Sequence, residues 1–251
     1  MSEILIAQGN SALSITLNRP EKRNALNDAL INSLKDALRE ADKDTNLRAI
    51  VIKGAGKDFC SGADLSALRK ISESSVLENL ADAENLMELY ALIRKTKVPV
   101  IATVHGRALA GGCGLATACD IVLAAKSASF GYPEVKIGFV PAMVMAILRR
   151  NVSEKRAFEL TTQGFEFSAE EAERFGLINR VFADESFAED VKNYLSVYTK
   201  VSRSAVILSK RLLYQMDGMI FETALRSGVD INTIARLTDD YQTGIAKFLN
   251  K

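Results

Sequence analysis

The chain has 251 residues, 48% hydrophobic and 25% charged, which is enough apolar material to bury the core of one domain, with or without an appendage, and excludes a disordered chain. Its 32 Lys and Arg stand against 31 Asp and Glu, a formal charge of +1, so the basic excess expected of a protein that holds nucleic acid is missing. Cys60, Cys113 and Cys119 form no C-x-x-C, so neither a disulfide framework nor a cysteine zinc site is indicated, and a reducing, cytoplasmic setting is expected. The N-terminus carries Glu3 and soon turns polar, unlike a secretory signal. The most apolar stretch, residues 98–125, is broken by His105, Arg107, Asp120 and several glycines, so a soluble chain without a membrane span is expected.

In chain order, Ile4 and Ile6, then Leu13, Ile15 and Leu17, alternate with more polar residues and predict two half-buried strands around a turn at Gly9 and Asn10. Leu30, Leu34 and Leu38 predict a helix from Asp28 to about Asp42. Residues 48–53 form a short apolar run suited to a strand covered on both faces. Leu77, Leu80, Met87 and Ala91 predict a helix over 75–95, stopped by Val98 and Pro99, and a strand follows at 100–104. A glycine-rich turn, a small-residue helix over about 112–119 and a strand at 121–125 complete an α/β pattern. Beyond Pro141 the chain reads as helices at 142–150, 153–163, 168–175, 186–199, 202–215 and, with breaks, 221–249, interrupted only by strand character at 177–182. No repeat or linker marks a boundary, so the one drawn near residue 200 rests on the run of helices alone.

Two loops follow buried strands and lead into helices, at 54–65 (GAGKDFCSGADL) and 105–114 (HGRALAGGCG). Such strand ends are where open α/β sheets place ligands, because the first amides of the next helix are unpaired there. Gly62, Gly111 and Gly112 let the main chain approach a ligand, and two amides from separate loops can converge on one oxygen; the same glycines also suit plain turns and helix packing. Neither loop is a nucleotide motif. The first would need glycine at Val51 and a hydroxyl at Asp58, and the second would put Thr117 at its third glycine. Glu134, after a rigid proline in FGYPE and ahead of Val135, Ile137, Phe139 and Val140, is either a general base with a raised pKa or a solvated turn residue. His105, the single histidine, is a base or a packed strand end, and its solitude excludes a His-rich metal site. Cys113 and Ser61 are nucleophile candidates without an evident base, small-residue packing being the other reading, and Asp120 is expected to cap or pair locally.

In this order the segments resemble the crotonase, or enoyl-CoA hydratase/isomerase, superfamily over nearly the whole chain. NRPEKRNAL (18–26) is similar to the family's first CoA-contacting segment and FCSGADL (59–65) to its first oxyanion loop. Gly106 with AGGC (110–113) and ACD (118–120) is similar to its second oxyanion loop, and FGYPE (130–134) with Ile137, Gly138 and Pro141 to its catalytic-acid loop. SAEEA (168–172) with FGLI (175–178), and GIAKFL (244–249), resemble later segments. The resemblance implies an α/β fold, a crotonase-like spiral of ββα units, with residues 1–200 as a core holding the acyl-CoA site and 201–251 as a helical oligomerisation region. It also implies self-association as a homotrimer or a dimer of trimers. Carried over by motif, the N–H groups of Ala63 and Gly111 are the oxyanion-hole donors and Glu134 is the catalytic carboxylate. Lys22, Arg23, Ala25, Ser61, Gly62, Asp64, Leu65, Gly112 and Gly114 cradle the CoA, with the basic side chains facing its phosphates.

Hydratases of the family usually carry a second glutamate three residues past the second oxyanion glycine, and here that position is Gly114. The further acid of dienoyl isomerases would fall at Ala142, and with the chain stopping at Lys251 the family's basic tail is expected to be short. A lone Glu134 suits shuttling a proton from C2 to C4, so 3-enoyl-CoA to 2-enoyl-CoA isomerisation is expected ahead of hydration by Glu134 alone or a non-catalytic CoA-binding role. No metal or redox cofactor is implied, coenzyme A being part of the substrate, and neither nucleic acid nor membrane is an expected partner.

Overall fold

A computed structural model describes residues 2–9 and 11–250, with Leu65 by its backbone only. Strand β1 (Ile4–Gly9) pairs antiparallel with β2 (Ala12–Leu17), as expected, although Asn10 of the intervening turn lies outside the described residues. Leu13, Ile15 and Leu17 are buried, but on β1 only Ile4 is: Leu5 and Ile6 are both more than half exposed, because β1 is the outermost strand of its sheet.

Helix α1 (Asp28–Ala41) begins where the Asn27 side chain accepts the Leu30 N–H, and its four-residue rhythm puts Leu30, Leu34 and Leu38 fully into the core. Strand β3 (Ala49–Gly54) leads through the first glycine loop to α2 (Leu65–Glu73). Helix α3 (Val76–Lys95), opened by a capping box of Ser75 and Glu78, is where the spacing predicts it, yet Leu77, Leu80 and Met87 face solvent. The residues it buries are Leu89, Tyr90 and Ile93, in its C-terminal half.

Next come β4 (Val100–Val104), β5 (Arg107–Leu109), α4 (Gly111–Ala118), β6 (Ile121–Ala125) and β7 (Ser129–Gly131). A 3-10 turn (Pro133–Ile137), α5 (Ala142–Asn151), α6 (Glu154–Gln163), β8 (Glu166–Ser168), α7 (Ala169–Arg174), β9 (Arg180–Phe182) and α8 (Phe187–Lys200) follow. The chain closes with α9 (Arg203–Gln215), α10 (Phe221–Arg236) and α11 (Asp239–Leu249). Strands β5 and β8 are not apparent in the sequence, and β8 corrects the expectation that only residues 177–182 interrupt the helices; three residues are too few to establish an alternation.

The main sheet runs β1-β2-β3-β4-β6-β9, parallel from β2 onward, and its central strands read as unbroken apolar runs because both faces are covered. A second sheet, β5-β7-β8, stands apart, with β5 and β7 parallel. Because β5 and β7 are parallel, they leave this sheet at the same end, the first into Ala110 and Gly111 and the second into Tyr132 and Glu134.

Asp120 does not pair locally, contrary to the sequence expectation. Its carboxylate accepts from the Val100 N–H, from Lys210 Nζ and from the Tyr214 hydroxyl, each at 2.6 Å, because α9 folds back across the start of β6. Arg203 of the same helix donates to the Leu47 carbonyl at 2.7 Å, so the segment after residue 200 is tied to the sheet by polar side chains.

Candidate active site

Three segments distant in sequence lie side by side. Cys60 donates its N–H to the Arg107 carbonyl and accepts from the Leu109 N–H at 3.1 and 3.0 Å, which fastens the first glycine loop to β5. Leu26 donates to Gly62 O at 2.7 Å and accepts from the Asp64 N–H at 2.9 Å, while the Ser61 N–H reaches Arg23 O at 3.0 Å, so residues 23–26 flank the same loop. The packing tolerates no side chain at two points. Gly62 has φ +95°, and a Cβ there would come within 2.8 Å of Ala110 Cβ and 3.6 Å of the Gly111 nitrogen. A Cβ on Gly112 would sit 2.3 Å from Cys60 O.

Ala110, at the N-cap of α4, has φ 49° and ψ −127°, a backbone conformation that costs a residue with a side chain about 1–3 kcal/mol. It is held there by its N–H on Gly131 O at 2.8 Å, and it presents the next amide, that of Gly111, at the start of α4. Among the described residues the N–H groups of Ala63 and Gly111 donate to no protein oxygen. Two free amides on adjoining loops, one at a helix N-terminus, suit an oxygen that gains negative charge.

The acid reaches the same place by β-pairing. Leu109 of β5 is in register with Gly131 of β7, and Glu134 follows three residues later in the 3-10 turn. Its Oε2 is buried without a hydrogen-bond partner. Burial raises its carboxyl above the ordinary value of 4.5, partly opposed by its own backbone N–H. A half-buried carboxyl of this kind is at odds with the solvated-turn reading of the sequence.

The remaining residues that the resemblance assigns to CoA differ in exposure and in what they bond. Lys22 and Arg23 are exposed beside the first loop and Ala25 is buried. Gly114 is buried within α4. Asp64 is a supporting residue, since its carboxylate accepts the Ser66 N–H at the start of α2 and pairs with Arg19 at 2.7 Å. The Ser66 hydrogen bonds, with Arg19, lower its carboxyl to about 2. Ser61 keeps an intermediate exposure, and of Leu65 only the backbone is described.

Of the other candidates, His105 is partly exposed, with Nε2 2.9 Å from Gly56 O. Burial raises the Cys60 and Cys113 thiols to about 12, so neither supplies a thiolate at neutral pH. Sequence reasoning passed over Asn24 and Arg19. Asn24 is fully buried with φ 54°; it accepts from the Arg19 N–H at 2.9 Å and donates to Ala55 O and Asp58 O at 2.8 Å each, thereby shaping the turn that carries Lys22 and Arg23. The dipeptide Arg23-Asn24, both residues left-handed, carried an Asn signal that turn chemistry would have recognised.

The α/β architecture, with its main sheet parallel from β2 onward, is that of the crotonase fold. A family profile described as enoyl-CoA hydratase/isomerase matches residues 7–251, so the chain belongs to that family and is an enoyl-CoA hydratase/isomerase type enzyme acting on acyl-CoA. A Thermus thermophilus relative is 38% identical over 248 residues, covering 99% of this chain and 98% of its own. The 2,3-dehydroadipyl-CoA hydratase of Escherichia coli is 33% identical over 252 residues, covering 100% and 97%. The crystal structure of an enoyl-CoA hydratase from Mycobacterium smegmatis superimposes with a TM-score of 0.96 at 30% identity, covering 100% of this chain and 97% of that one. No helix among the described residues is long and apolar enough to cross a membrane.

Proposed function

We propose that this enzyme moves the double bond of a 3-enoyl-CoA to the 2-position, using Glu134 as its single acid–base group. The thioester oxygen sits between the N–H groups of Ala63 and Gly111. Glu134 takes the C2 proton, the C2–H electron pair flows toward the thioester oxygen, and the resulting dienolate is held by the two amides. The same carboxyl then returns its proton to C4, and the double bond closes between C2 and C3. Each oxyanion donor contributes about 3 kcal/mol to the transition state in well-studied cases. Burial of Glu134 favours the first half, because a carboxylate disfavoured in its ionised form is the stronger base.

The observation that carries this reading is at position 114. A Cβ on Gly114 would stand 2.7 Å from both Tyr90 Oη and Val144 Cγ2, so the place from which a second acid would reach the substrate is filled. Hydration uses one group to deprotonate water and another to deliver a proton. A hydratase reading, with Glu134 handling water alone, is favoured by the name of the Escherichia coli relative.

Products separate the two. Incubating the enzyme with 3-enoyl- and 2-enoyl-CoA thioesters of differing chain length, followed by mass and absorbance, is expected to give a 2-enoyl product of unchanged mass. Addition of one water to the 2-enoyl thioester, with no isomerisation of the 3-enoyl one, would overturn the proposal.

Self-association is proposed on the exposed apolar side chains of the last helices, Phe221, Leu225, Leu237, Phe248 and Leu249, each more than half exposed in the single chain. Light scattering is expected to give three or six times the chain mass of 27.4 kDa; a monomer in solution would rule this out.

A further inference from the structure

Tyr90 belongs to none of the motifs above. It lies in the C-terminal half of α3, one of three residues that this helix buries, and is 5% exposed. Its hydroxyl donates to the Gly111 carbonyl at 2.9 Å. The same oxygen would lie 2.7 Å from a Cβ on Gly114 and 3.7 Å from one on Gly111, so it sits against the first turn of α4 on the side from which side chains at 111 and 114 would project. Nearby, the Tyr132 hydroxyl is buried without a partner. Burial, and then the neighbouring Cys60, Cys113 and Glu134, keep Tyr90 in its protonated, hydrogen-bond-donating form.

Two consequences follow from one hydroxyl. A tyrosine on a rigid helix that donates to the Gly111 carbonyl restrains rotation about the Gly111 Cα, and with it the direction of the amide on the other side of that carbon. The volume taken by the same oxygen is denied to any side chain at 114, and to a water that such a side chain would hold. We propose that Tyr90 is a positioning and specificity-determining residue of this site: it aims the Gly111 amide at the thioester oxygen and fills the seat of a second acid, biasing the enzyme toward one-carboxylate proton transfer. This rests on the reading of the site as an enolate-forming, single-glutamate centre.

The test compares the full-length enzyme with its Tyr90→Phe variant, which keeps the ring and removes the donor. Each is measured for isomerisation of a 3-enoyl-CoA, hydration of a 2-enoyl-CoA, and the infrared stretch of the thioester carbonyl in bound 2-enoyl-CoA. Loss of one preorganised hydrogen bond is expected to lower kcat about tenfold with KM within about twofold. The carbonyl stretch should shift less far from its free value, and the ratio of hydrated to isomerised product should rise. Unchanged kcat and an unchanged carbonyl frequency would reduce Tyr90 to packing.

Gly114→Ala provides a second arm. It is expected to lower Tm more in the presence of Tyr90 than in combination with Tyr90→Phe, and equal losses in both backgrounds would overturn the steric half. The carbonyl frequency reads the aim of the amide whichever reaction the enzyme runs. A wild type that only hydrates would therefore sink the isomerase reading, while the frequency still judges Tyr90's hold on the Gly111 amide.

Discussion

Glu134→Gln is expected to lower kcat for isomerisation by about 10³-fold, within the range of about 10²–10⁴ attached to a positioned acid–base group, and to leave the Kd for CoA nearly unchanged. The substitution keeps the shape and removes the proton acceptor, and the CoA contacts proposed at Lys22 and Arg23 lie on a separate segment. Steady-state rates and equilibrium binding measured on the same sample check this; a variant with more than about a tenth of wild-type turnover would exclude Glu134 as the base. The pH dependence has a definite sign. Glu134 must be ionised to take the C2 proton, and burial raises its pKa above 4.5, so kcat/KM should fall as pH drops while ordinary surface carboxylates are still ionised. The same shift bears on stability. In the window between the unfolded and the raised folded pKa, the folded state holds more protons than the unfolded one, so stability falls as pH rises through it and stays lower above. Glu134→Gln escapes that cost, and the variant is therefore expected to melt at a higher temperature than wild type at neutral pH, the opposite of its effect on rate.

Lys210→Met is expected to cost about 4 kcal/mol of stability, because it leaves a buried carboxylate without its cation. Lys210 uses all three of its donors, at 2.6 Å to Asp120 and at 3.0 Å to each of Ile93 O and Val98 O. Both partners are close to fully buried, at 8% and 12% side-chain exposure, so water cannot replace what is lost. In a chain of this length the loss corresponds to a drop in Tm of about 10 °C. Calorimetry on the variant checks the figure, and a change under about 2 °C would show that the α9 anchor carries little of the fold. Combining Lys210→Met with Asp120→Asn should cost less than the sum of the single changes, because the charge stranded by the first is removed by the second.

These two residues also show where the sequence was readable. Glu134 stood in a five-residue segment, after a proline and before an apolar run, where local chemistry left a base and a turn residue both open and only the family resemblance singled it out. Asp120 was equally visible as a residue, but its partner lies 90 positions later on α9, and nothing local announces a pairing across that distance. Helix α3 divides in the same way: its period was evident, yet three of the four residues marking it, Leu77, Leu80 and Met87, are exposed and Tyr90 is buried. Periodicity reports that a helix has a face, whereas burial depends on which neighbour arrives to cover it.

By itself, then, the order of apolar runs determined the α/β class, encoded within windows of about ten residues by backbone propensity and hydrophobic period, while the family was legible only as a resemblance of motifs such as FCSGADL and FGYPE taken in order along the chain. Tertiary structure alone decided that β5 and β7 pair in register and so lead Gly111 and Glu134 out of one end of the small sheet, that Asp64 supports a helix start while also binding Arg19, and that Tyr90 fills the space beside Gly114. Those outcomes arise from contacts between residues tens of positions apart, whose energies exist only once the chain has closed around them.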